Sequence, residues 1–186
     1  MESFTYLSVL LSIVLGLAIM QVLQGFRGII LNRESVKLYF PTLVWAGLSL
    51  LISVQSWWAS FGMRGHANWT FAAFLVIVMH AISGYMVAAL VFPDITGNAM
   101  VDLRDHYFAH RGWFFGALLA STVLSVAKDL ALDGHLPGRT NGEFHVIFAL
   151  VLIAAAITRR EWFHKLLAPA LGALFFVYIT LLYARL

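Results

Sequence analysis

PDITGNAMVDLRDHYFAHR (residues 93–111) is the longest hydrophilic interruption in an otherwise greasy chain, with three apolar stretches before it and three after. These stretches run approximately over residues 4–26, 41–62, 69–92, 112–131, 144–158 and 166–184. A hydrocarbon core of roughly 30 Å takes about 20 helical residues to cross. All but the fifth are long enough, or nearly so. The fifth has 15 apolar residues before Arg159 and is expected to extend over Arg159 and Arg160, whose long side chains can snorkel to the interface. Strands are a poor reading, because the runs lack period-2 alternation and are twice the length that a barrel strand needs. Helices satisfy every backbone group within the segment, as lipid demands. The expected fold is therefore all-α: one transmembrane domain over residues 1–186, a bundle of six transmembrane helices with a short interfacial helix between the third and fourth. Its halves would be 1–92 and 112–186, joined by the linker 93–111.

Composition excludes a water-soluble globule. Hydrophobic residues make up 61% of the 186 and charged residues 11%, with a mean hydropathy of +0.86, against about 45–50% and about 25% in a soluble domain. The formal charge is +3 and no basic run reaches five residues. That lacks the clustered footprint of a nucleic-acid binder. With no cysteine, disulfides, thiolate metal sites and cysteine nucleophiles are excluded. The N-terminal Met-Glu-Ser lacks a basic region and residues 4–26 lack a small-residue cleavage site, so the first span is expected to stay in the mature protein.

Orientation follows from the basic residues. Arg27, Arg33, Lys37, Arg104, Arg111, Arg159, Arg160 and Lys165, eight in all, lie in the odd-numbered connections, against four (Arg64, Lys128, Arg139, Arg185) on the other side. Positive residues favour the cytoplasm, so the linker 93–111 should be cytoplasmic and both termini periplasmic. Aromatic residues fit as interfacial belts: Tyr6, Trp57, Trp58, Trp69 and Tyr183 outside, Tyr39, Tyr107, Trp113 and Trp162 inside. The two halves share an outline that would suit an inverted repeat, while the similarity of residues 49–54 to 121–126 would suit a parallel one. Small residues four apart (Ser8, Ser12, Gly16; His80, Gly84, Ala88; Ala168, Gly172) read as helix-packing seams.

His80 lies 12 residues into the third stretch, near the bilayer midplane, where a titratable group is a functional candidate. Ser53, Gln55, Ser83, Ser121, Thr122 and Ser125 lie at similar depth and would satisfy a neutral imidazole or share a proton or solute path with it. Haem is disfavoured, since no second histidine is expected near mid-depth. Lys128 continues the face of Ser121 and Ser125, and Asp129 that of Thr122 and Ser125. Helix neighbours do not face each other, so the two are not expected to pair. Gln21 and Gln24 suit interhelical hydrogen bonds.

Asp102, His106 and His110 are four residues apart and would share one helix face. Two histidines and a carboxylate so placed suit a divalent metal with an open position, though LRDHYFAHRGWFF also reads as an amphipathic surface helix. His164 falls on the same side and would be able to join; His145 falls on the opposite side. Phosphate-binding, dinucleotide, zinc-protease and serine-hydrolase motifs are absent.

FTYLSVLLSIVLGLAI (residues 4–19), VQSWWASFG (54–62) and DLRDHYFAHRGWFF (102–115) resemble a group of small multi-pass bacterial inner-membrane proteins. The resemblance implies a bacterial inner-membrane home and no particular activity. The expected function is a small transporter or channel-like protein, or an accessory subunit, with a polar interior around His80. The expected partners are membrane lipids and either further copies of the chain or a larger membrane complex. The alternative is a membrane enzyme using a metal at Asp102, His106 and His110.

Overall fold

The computed structural model describes residues 3–66, 68–95 and 100–183. Glu2, Arg185, the last position of the sixth stretch and linker residues 96–99 lie outside them. Six helices account for most of the chain: α1 (Ser3–Leu31), α2 (Phe40–Ser60), α3 (Phe71–Val91), α4 (Leu103–Asp133), α5 (Arg139–Ile157) and α6 (Glu161–Leu182). All six are long and apolar enough to cross a membrane, so this is a multi-pass membrane protein with an all-α bundle fold.

Local chemistry sets the helix ends. Pro41 sits in the first turn of α2, where its missing N–H is not needed. The Thr70 hydroxyl accepts from the Ala73 amide at 3.1 Å to start α3. Asp102 Oδ1 accepts from the Arg104 and Asp105 amides at 2.9 and 3.4 Å to start α4. At the other end of α4, Gly134 takes the left-handed φ of 72° that favours glycine.

Several boundaries differ from the sequence expectation: α1 runs on past residue 26 to Leu31, α6 begins at Glu161 rather than 166, and α4 and α5 also start earlier. Once capped by Asp102, α4 runs unbroken for 31 residues, so LRDHYFAHR forms its first turns rather than a separate surface helix. Gly112 is too weak a breaker to interrupt it. Likewise α5 gains length at its start, back to Arg139, and not across Arg159 and Arg160, which lie in the turn before α6.

The connections after α1, α3 and α5 gather on one face. Val36–Lys37 pairs in parallel with Val101–Asp102, and Arg104 reaches Glu161 at 2.9 Å. The even connections therefore lie at the opposite end. Within the bundle α1 packs on α2 and α3, α3 on α2 and α4, α4 on α5, and α2 on α6. Although consecutive, α5 and α6 scarcely approach each other, and side chains such as Phe148 and Phe175 (centroids 6.2 Å apart) bridge them. The ring of helices leaves a space in its middle.

Glycine is used differently from the expected seams. Gly16 and Gly84 have no close neighbour, whereas Gly172 packs on Leu48. The tightest approach is at Gly25, where any side chain would collide with the Phe92 ring.

Candidate functional site

A cavity of about 160 Å³ occupies the middle of the bundle, with walls from all six helices. Its lining is sorted by depth. On the half nearest the odd connections the walls are Leu48, Ile52, Leu118, Leu152 and Leu171, and Trp45 lies across the end. Toward the even connections Gln55, Ser121, Ser125, Lys128 and His145 join Leu11, Ile77 and Phe175 on the walls, with Ser60, Met63 and Tyr183 at the rim. His80, the tenth of 21 residues in α3, stands between the two halves.

The polar lining falls into two groups. Ser53 Oγ donates to the Ser49 carbonyl at 2.9 Å, and Thr122 Oγ1 to that of Leu118 at 2.9 Å. Those hydroxyls are satisfied within their own helices. The His80 ring, the Gln55 amide and the Ser121 and Ser125 hydroxyls make no hydrogen bond to any described residue. The expected serine or glutamine partner for His80 is thus not what the structure contains: Ser83 bonds the His80 carbonyl at 2.7 Å instead. Polar groups in an apolar bundle are costly to leave unpaired, and a cavity this roomy, mostly apolar but with several polar groups on one part of its wall, is suited to holding water or a ligand.

Of the residues singled out for a polar interior, His80, Gln55, Ser53, Ser121, Ser125 and Lys128 all line the one space. Asp129 does not, but its carboxylate lies 3.4 Å from Lys128 Nζ, with both side chains largely shielded (17% and 21% exposed). The expectation that these neighbours would not pair is corrected: long side chains curl together where no solvent competes. His145, expected on the side opposite the linker, does lie toward the even connections, and it lines the chamber. Its Nδ1 lies 2.8 Å from the Asn141 carbonyl and donates to it, and Nε2 has no described partner. The earlier start of α5 is what carries it inward.

Aromatic packing closes the floor. Trp45 contacts Phe114 and Phe115 edge-on at 5.3 and 5.4 Å. Below it, Tyr107 Oη meets Nδ1 of the wholly buried His164 at 2.8 Å, and His164 Nε2 lies 2.9 Å from the Thr158 carbonyl. A carbonyl only accepts, so Nε2 carries the proton and Nδ1 accepts from Tyr107. Tyr39 packs on Tyr107 at 5.4 Å, and its buried hydroxyl has no partner. Burial, with help from the Glu161 carboxylate and against Arg104, pushes the Tyr39 phenol up to about 12. On the far side of Trp45 is a second void of about 10 Å³, water-sized, reached by Tyr107 and His110. Trp45 is the wall common to both.

The metal constellation does not assemble. Asp102 is spent on the α4 cap and lies 3.9 Å from Lys37. His106 Nε2 donates to the Leu90 carbonyl at 3.2 Å and His110 Nδ1 to that of His106 at 3.0 Å. The two ring centroids lie 4.5 Å apart with the planes tilted by 32°. Among the described residues no group of three side chains converges as metal ligands. His164, the candidate fourth, is committed to Tyr107 and Thr158. Comparison with protein-family models, with curated proteins and with solved structures finds no match to this chain.

Proposed function

We propose that this protein is a small transporter or channel-like membrane component whose solute site is the chamber around His80. The observation that carries the reading is the set of unpaired hydrogen-bonding groups on α2, α3 and α4 facing one shared space. A purely structural bundle would bury apolar side chains there or pair the polar ones. The depth sorting favours access from the end bearing Met63 and Tyr183, with Trp45 and its phenylalanines as the closed gate at the other end.

We place the protein in a bacterial inner membrane, with the Arg104 face in the cytoplasm and the chamber rim toward the periplasm. Lipid would cover the exposed apolar side chains. The sparse burial of α4, at 11% of its apolar window, favours packing against further copies or a larger membrane complex. Because the chain has no cysteine, a single cysteine replacing Ser121 reports directly on access. Reaction with a membrane-impermeant thiol reagent from the Met63 side supports the reading. No reaction, while an Arg64→Cys control reacts, contradicts it.

A further inference from the structure

We infer that the chamber takes an amphipathic monocarboxylate, its carboxylate at Lys128 and its hydrocarbon tail toward Trp45. The inference rests on the chamber being a solute site and names the chemical class it would accept. Three features point there together. First, among the described residues no Asp or Glu lines the cavity, whereas Lys128 does. A cationic ligand would meet this like charge first, since the nearest carboxylate, Asp129, lies off the lining and is already paired with Lys128 at 3.4 Å. Second, four of the unpaired groups that share the lining with Lys128 can donate: the Gln55 amide, the Ser121 and Ser125 hydroxyls, and an N–H of His80, against one pure acceptor, His145 Nε2. They suit an acceptor-rich head. Third, the inner half is walled by leucine, isoleucine and tryptophan, which solvate no ion. An inorganic anion would fill the polar half and leave this end empty.

Size narrows the class. An apolar cavity of about 150 Å³ holds benzene, so about 160 Å³ suits a tail of roughly six carbons, plus whatever extends through the rim. Such an acid has two sources, water on the rim side or the bilayer itself. The bilayer route would pass between α5 and α6, whose backbones scarcely approach each other and which are bridged by side chains such as Phe148 and Phe175 and by the Tyr178–Asn141 hydrogen bond. Asp129 competes with the ligand for Lys128 at 3.4 Å, so its charge should weaken binding.

The test is calorimetric titration of the full chain in lipid nanodiscs with hexanoate, hexylamine and acetate. Hexanoate is expected to bind, with hexylamine and acetate at least about tenfold weaker. Lys128→Met should reduce hexanoate affinity at least about tenfold, Lys128→Arg should retain most of it, and Asp129→Asn should tighten it. Tightening cannot come from a damaged fold, so that variant keeps the test sound if Lys128→Met folds poorly. Palmitate displacing hexanoate from the nanodisc-embedded protein identifies the bilayer as source; hexanoate binding that palmitate leaves unchanged identifies water. Hexylamine binding as tightly as hexanoate, or affinity indifferent to both Lys128→Met and Asp129→Asn, overturns the inference. If hexanoate does not bind while Ser121→Cys still reacts from the rim side, the ligand class is wrong and the chamber stands. If Ser121→Cys is also inert, the chamber reading fails with it.

Discussion

The Tyr107 hydroxyl donates to His164 Nδ1 across 2.8 Å, fastening α4 to α6 directly below the Trp45 floor. His164 is wholly buried and both its ring nitrogens are used. Removing it strands a phenol and a carbonyl and opens a cavity. His164→Ala should therefore destabilise the protein by about 2–5 kcal/mol, and Tyr107→Phe by about 1–3 kcal/mol. Thermal unfolding in detergent reads both. Equal stability in wild type and His164→Ala would mean that this clamp is not what holds the floor.

Tyr39 gives the opposite expectation. Its hydroxyl is buried without a partner, so Tyr39→Phe should be neutral or stabilising at pH 7. The pH dependence has a definite sign. The phenol is raised from 10.0 to about 12 in the folded protein. Its contribution is complete below pH 10 and fades as pH climbs through 12. Wild type should lose more stability than Tyr39→Phe over that window.

Gly25 should tolerate no side chain. Gly25→Leu would collide with the Phe92 ring and cost about 1–3 kcal/mol. Phe92→Ala in the same molecule should recover part of that loss, giving a non-additive double-mutant cycle. Additive losses would mean that α1 and α3 do not meet here.

Asp102 should behave as a helix cap. Asp102→Asn is expected to change stability by only a few tenths of a kcal/mol, and Asp102→Ala to cost about 1 kcal/mol. Elemental analysis of purified protein should give the same metal content for wild type, His106→Ala and His110→Ala. Stoichiometric zinc or iron lost in either histidine variant would restore a metal role for that face.

Hydropathy made the six helices and the depth of His80 legible, because lipid leaves few other options for such runs. It could not show where α4 and α5 begin. Residues 103–111 and 139–143 are polar, yet they continue their helices beyond the apolar stretch. That hidden length is why the sequence does not reveal His145 as a chamber residue and why LRDHYFAHR reads as a separate helix. Which hydroxyls stay unpaired was equally hidden. Ser53 and Ser125 look alike in sequence, but only the first bonds its own backbone. The pairing of Lys128 with Asp129 required knowing how little solvent reaches them.

The chamber is tested most directly by thiol access in sealed vesicles of both orientations, using Ser121→Cys in the otherwise cysteine-free chain, alone and with Trp45→Ala. The expected result is reaction from the Met63 side only in the single variant, and from both sides once Trp45 is cut back. Reaction from neither side in both variants, or an indifference to Trp45, would contradict a solute chamber gated at that tryptophan.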